Sequence, residues 1–158
     1  VHFQSVISDF RDAPQYADAL VRLGDCMMAR GNLDSAGALF QRALKDPKAD
    51  VRHEELTFKL IEIDFYRGDL EQALDGYNGL IAEFPKGLFV NNALERVIVI
   101  GDNQELDRPL LAKFAQALLD NVQGNVDSAI RKLDGLISAK SPKLSDLAQL
   151  EKAKILKG

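Results

Sequence analysis

Few residues of this chain are of a type to do chemistry, and their spacing works against it. His53-Glu54-Glu55 opens like the zinc-binding helix in which two histidines one turn apart hold the metal and a glutamate serves as base, but position 57 is Thr and the second ligand is missing. The other histidine, His2, is remote in sequence. Both read as surface or cap histidines. Cys26 is the single cysteine, so no internal disulfide can form, and its place between Asp25 and Met27 beside an apolar stripe reads as a partly buried structural thiol. No serine sits in a nucleophile elbow, and no glycine run has the strand-to-helix context of a phosphate loop. Acidic residues are scattered over helix faces. Lys140, Lys143, Lys152, Lys154 and Lys157 read as solvated charge at a helix end rather than a site for an anion. The expectation is therefore no catalytic residue, no cofactor and no metal.

The bulk composition narrows the partners. Among 158 residues 46% are hydrophobic, enough for a core, and net charge is −4, which argues against a general nucleic-acid surface needing basic excess. Tryptophan is absent and aromatics are sparse, so no base-stacking platform is evident. No apolar run reaches the length of a membrane span.

What the chain does contain is a repeat. Residues 20–47, LVRLGDCMMARGNLDSAGALFQRALKDP, recur at residues 57–85 as TFKLIEIDFYRGDLEQALDGYNGLIAEFP. Leu23 falls on Leu60, Gly31 on Gly68, Ala36 on Ala73 and Phe40 on Tyr77, each 37 residues on. A constant period of this size marks stacked helix pairs. Leu20, Leu23, Gly24 and Met27 form one helical stripe, Gly31-Asn32 closes that helix, and Ala36, Leu39, Phe40, Ala43 and Leu44 form the stripe of the next, which Pro47 ends. Gly24 and Ala36 are small where two helix backbones must approach, and Phe40 can fill the space beside them. Neither helix buries its stripe alone, so units must stack.

These residues resemble the tetratricopeptide repeat. The matching residues are Leu23-Gly24, Gly31-Asn32, Ala36, Phe40, Ala43 and Pro47, and then Leu60, Gly68-Asp69, Ala73, Tyr77, Leu80 and Pro85. The second copy departs at Ile61 and Leu80, where the family prefers glycine and alanine, and a slightly wider helix crossing is expected there. The resemblance implies an all-α, right-handed superhelix of antiparallel helix pairs, about nine helices in all.

The organisation expected is one repeat domain over residues 1–158. Residues 1–14 end a preceding repeat, since His2–Phe10 reads like a second helix and Phe3 precedes Phe40 by 37. Residues 15–50 and 51–87 are repeats, and 88–103 is an inserted half-repeat helix with Leu94, Val97, Ile98 and Ile100 on one face. Residues 104–140 are a degenerate repeat, with Asp107 as helix cap and Gly124-Asn125 echoing Gly31-Asn32, and 141–158 form a closing helix. The chain reads as an excerpt of a longer protein, with Gly31, Gly68 and Gly124 each in a helix-to-helix turn.

The resemblance also implies the role: a non-catalytic scaffold that docks a peptide or helix of another protein in a concave groove lined by first helices. The flank expected to line it carries Val21, Asp25 and Met28 in one copy and Phe58, Glu62 and Phe65 in the next, at i, i+4 and i+7. With Asp18 and Glu55 beside them, the groove would favour partners bearing both basic and apolar side chains. The positions that clamp a chaperone tail carboxylate in some family members are Val21, Asp25, Phe58 and Glu62 here and offer no donor. Self-association through the exposed stripes of the repeat ends is a further expectation, and the resemblance alone suggests placement on the periplasmic side of a bacterial cell envelope. The competing reading is an accessory region of a multidomain enzyme.

Overall fold

The computed structural model of the chain describes residues 16–46, 51–103, 108–139 and 141–157. They form eight helices: α1 (Tyr16–Ala29), α2 (Leu33–Leu44), α3 (His53–Arg67), α4 (Leu70–Glu83), α5 (Val90–Asn103), α6 (Arg108–Val122), α7 (Val126–Ile137) and α8 (Pro142–Lys157). The fold is all-α, as the repeat pattern requires, and no strand occurs among the described residues. The end of a preceding repeat expected at residues 1–14, the stop at Pro47 and the cap at Asp107 lie outside the described residues. Contacts divide the chain into two compact units, Val1–Leu60 and Ile61–Gly158.

In the first unit α1 and α2 form a tight hairpin. Its crossing is built on a missing side chain. A Cβ on Gly24 would stand 2.3 Å from the Phe40 ring, so only glycine lets that ring lie flat against the α1 backbone. Phe40, Ala36 and Ala43 are fully buried. The buried stripe of α1 is Ala17, Leu20, Val21, Gly24 and Met28, while Leu23 and Met27 are half-buried. The stripe is thus rotated from the expected one, because packing against α2 is centred on Gly24 and draws in Val21 and Met28 on its other side. Cys26, expected to be partly buried, is exposed for the same reason: it points away from Gly24.

The second unit begins within α3. Its C-terminal half packs on α4, where Ile61 meets Gly76: a Cβ there would lie 2.9 Å from Ile61 Cγ1. Gly76 stands 37 residues after Leu39, as Ile61 stands 37 after Gly24. The glycine has moved from the first helix of the pair to the second, where Gly76 leaves room for the bulk of Ile61. Helix α4 packs on α5, α6 pairs with α7, and α7 supports α8, which also reaches α5 and α6; α5 and α6 touch only marginally. Helix α5 spans Val90–Asn103, with Gly101 in its last turn. The apolar residues of α5 do not share one face: Ala93, Val99 and Ile100 are buried, whereas Leu94 and Ile98 face solvent.

Three helix-to-helix turns share one construction. Gly31, Gly68 and Gly124 have φ of 74°, 84° and 76°. In each turn the glycine N–H donates three residues back, to Met28, Phe65 and Asn121, and the next residue donates five back, to Met27, Asp64 and Asp120. This doubly bonded cap satisfies carbonyls that the helix end would leave bare, and it requires the left-handed conformation that glycine adopts freely. Asn32 adds a side-chain cap, its Oδ1 accepting from the Ser35 N–H at 3.1 Å. At the last helix the Ser141 carbonyl accepts from the Ser145 N–H at 2.9 Å, with Pro142 at the first helical position.

Candidate functional site

The six residues expected to line a groove are placed very differently from one another. Val21 is 1% exposed, Met28 7%, Phe58 9%, Phe65 0% and Glu62 7%. Only Asp25 faces solvent. For five of the six, an accessible contact surface is therefore corrected to core. Their i, i+4, i+7 spacing sets a shared face, but helix packing decides whether that face meets water or protein.

The acids of this region are all paired. Asp18 meets Arg52 at 3.2 Å, and Arg52 also meets Glu55 at 3.7 Å. Lys59 Nζ donates to Asp25 at 2.6 Å and lies 3.7 Å from Glu55. The acidity of the groove expected from sequence is thus largely offset, with Asp18, Asp25 and Glu55 sharing two cations. These partly exposed pairs are screened, each worth about 0–1 kcal/mol.

Glu62 is a different case. Arg96 Nε donates to its Oε1 at 2.9 Å and Nη2 to its Oε2 at 3.4 Å. The Tyr66 hydroxyl donates to Oε2 at 2.7 Å, and the Tyr77 hydroxyl to Oε1. The Arg96 guanidinium also lies 5.2 Å from the Phe65 ring centre. Burial pushes the Glu62 carboxyl up, but the Arg96 charge and the hydrogen bonds from Arg96, Tyr77 and Tyr66 outweigh it, so the group titrates below the ordinary carboxylate range. Burial and the adjacent Glu62 charge hold both tyrosines well above the usual phenol range. The network is a charged peg joining α3, α4 and α5, with no nucleophile and no open position for a substrate.

Asp25–Lys59 and Glu62–Arg96 are one interaction repeated. Both span 34 residues, and each member of the second lies 37 beyond its counterpart in the first. Lys59, Arg96, Tyr66 and Tyr77 were not singled out from sequence as site residues, yet the 37-residue offset of two acids and two cations was there to be read.

A tetratricopeptide-repeat family model matches residues 2–57. Over those residues the chain is similar to tetratricopeptide repeats. The match takes in α1, α2 and the opening of α3, where Gly24, the Gly31 turn, Ala36, Phe40 and Ala43 are set as just described. No curated protein and no solved structure matches the chain. Proteins of the tetratricopeptide class are typically non-catalytic and mediate contacts between proteins.

Elsewhere, a cavity of about 300 Å³ lies against α6 and α7, with Lys113, Gln116 and Arg131 on its wall beside Leu110 and Leu136. Lys132, also on that wall, pairs with Asp120 at 2.7 Å. Among the described residues no His, Cys, Asp and Glu side chains cluster to hold a metal, and no helix is long and apolar enough to cross a membrane.

Proposed function

We propose that this chain is a non-catalytic scaffold that docks a peptide or helix from another protein onto its repeat array. The observation that carries the reading is the tetratricopeptide match over residues 2–57, in a region built as an intact helix hairpin. Asp18, Arg22, Asp25 and Ala29 line the solvent side of α1 at helical spacing. They take the contact role expected of the first helix, and the buried Val21 and Met28 form the floor beneath them. Because Asp18 and Asp25 already have cations, recognition here exchanges pairs rather than attracting a basic partner by net charge, which makes it sensitive to salt. A bacterial-envelope location and an accessory role beside a catalytic domain are lesser proposals that nothing in these helices favours.

The test is capture of partners on the immobilised 158-residue chain, followed by calorimetry with each purified candidate. Saturable binding in the micromolar range or tighter, weakened by Asp25→Lys or Arg22→Glu, is the expected result. If every purified candidate binds these two variants as well as the parent, α1 is not the docking helix. If none binds at all, the scaffold reading fails.

A further inference from the structure

The hairpin of α6 and α7 repeats that of α1 and α2 with one face inverted. The Gly31 and Gly124 turns lie 93 residues apart, and over that offset Ala117, Ala129, Leu133 and Leu136 fall where Gly24, Ala36, Phe40 and Ala43 stand, all of them buried. Around the cavity between α6 and α7 the match fails. Lys113 and Gln116 are exposed where Leu20 is fully buried and Leu23 half-buried, and Arg131 and Lys132 take the places of Ala38 and Leu39. Each apolar residue has become polar, and three of the four are now cations. The apolar pattern of α6 accounts for the turn-over, since Leu111 and Leu118 are buried where Asp18 and Asp25 face solvent. The room comes from α7. In the first hairpin the Arg42 guanidinium lies 5.4 Å from the Tyr16 ring centre; its counterpart here is Gly135, and a Cβ there would meet nothing within 4 Å.

The cations are not all spent on neighbouring acids. Lys132 pairs with Asp120 at 2.7 Å, and Asp134 pairs with Lys152 at 2.6 Å. The Arg131 charge also reaches Asp120, but only as a field. Neither Lys113 nor Arg131 is ion-paired among the described residues. We propose that this cleft binds an acidic side chain of another protein, an Asp or Glu within an internal segment, with an adjacent Leu-sized side chain resting on Leu110 and Leu136. The inference rests on the scaffold reading above and names a second docking surface for it. Charge complementarity selects the acid: in a chain of net charge −4, Lys113 and Arg131 concentrate a positive surplus at one small cavity. Size selects the form of the ligand, since about 300 Å³ is the lower end for ligand sites and admits one or two side chains rather than a helix. The two leucines on the wall select the apolar neighbour. The cleft uses the places of Leu20, Leu23, Ala38 and Leu39 in the unit, not the flank of Val21 and Asp25 on which the first docking surface lies.

The probe is the peptide acetyl-Gly-Leu-Glu-Asp-Leu-Gly-amide, blocked at both ends so that its only charges are side-chain carboxylates. It is titrated into the isotope-labelled 158-residue chain at low salt, and binding is followed by amide chemical shifts. Saturable binding with shifts centred on α6 and α7 is expected, weakened about tenfold or more by Lys113→Glu, by Arg131→Glu, and by Gln and Asn in place of the peptide's acids. It should decline as salt is raised. Gly135→Leu fills the cleft without touching its charge, so it should weaken binding as much while thermal unfolding stays at or above that of the parent. Equal affinity for parent and Gly135→Leu, or no shifts at millimolar peptide, overturns the cleft. Equal affinity for the Gln and Asn peptide overturns the acidic occupant. Glutarate, a free dicarboxylate, provides a second arm: if it binds as tightly as the peptide, the ligand is a small anion and the proposed protein segment is overturned. A purified partner that loses affinity with Asp25→Lys but keeps it with both Arg131→Glu and Gly135→Leu sinks this inference while leaving the scaffold reading intact.

Discussion

Glu62 draws side chains from three helices onto one carboxylate, and its removal should be felt in all of them. Glu62→Gln leaves the Arg96 guanidinium buried without a counter-charge, and breaking a buried pair from one side costs about 3–5 kcal/mol. Urea unfolding of that variant should show it, whereas Lys59→Ala, which breaks the exposed counterpart pair, should change stability by only about 0–1 kcal/mol. The two pairs thus serve as each other's control. The pH dependence follows from the depressed carboxyl. A group whose folded pKa lies below its unfolded value stabilises the fold above the unfolded pKa, about 4.3 for glutamate, and loses that contribution as pH falls through the folded value. Acid unfolding of the parent below about pH 4 should therefore lose a component that Glu62→Gln lacks. The position of Glu62 was legible in sequence, 37 residues after Asp25, but its burial was not. Whether an acid faces a groove or a core depends on cations and hydroxyls brought by other helices, here Arg96 from α5 and Tyr77 from α4, and no local spacing reveals them.

Glycines separate the elements that were legible from those that were not. The turns at Gly31, Gly68 and Gly124 could be read directly, because a left-handed residue between two apolar stripes is a local requirement. What spacing does not disclose is a glycine's surroundings: Gly101, inside α5, is not left-handed, and a Cβ there would meet nothing within 4 Å. Two further glycines show opposite behaviour in one helix. Gly79→Ala in α4 meets nothing within 4 Å and should stabilise by roughly 1 kcal/mol through helix propensity. Gly76→Ala gains the same propensity but pushes on Ile61. Thermal unfolding should find it neutral or destabilising in the parent and stabilising once Ile61→Ala has made room, a coupling of about 0.5–3 kcal/mol. In the first unit, Ala36→Leu should cost about 1–3 kcal/mol by overpacking a fully buried crossing. A parent-like melting curve for it would mean that the hairpin is packed otherwise than described.

At the scale of the whole chain, a repeat array is held by neighbour-to-neighbour contacts, so its opening free energy should grade along the stack. Within the second unit, hydrogen exchange should be slowest in α3 and α4, which share the Glu62 peg, and fastest in the last turns of α8, where Leu156 is 66% exposed. Uniform protection across both would argue for a single cooperative core. The period of 37 was read in the sequence over α1 to α4, and what it concealed was the exchange of roles between Gly24 with Phe40 and Ile61 with Gly76. That exchange bears on how such an array can change over generations. Repeats diversify by unequal crossover, which splices the first helix of one unit to the second helix of another. Joining α1 to α4 would set Gly24 and Gly76 in the same hairpin with Tyr77 standing where Phe40 stood, and joining α3 to α2 would drive Ile61 toward the space that Phe40 fills. Only breakpoints between whole hairpins keep each glycine with its bulky mate, so inheritance in this family line should move these helices in pairs.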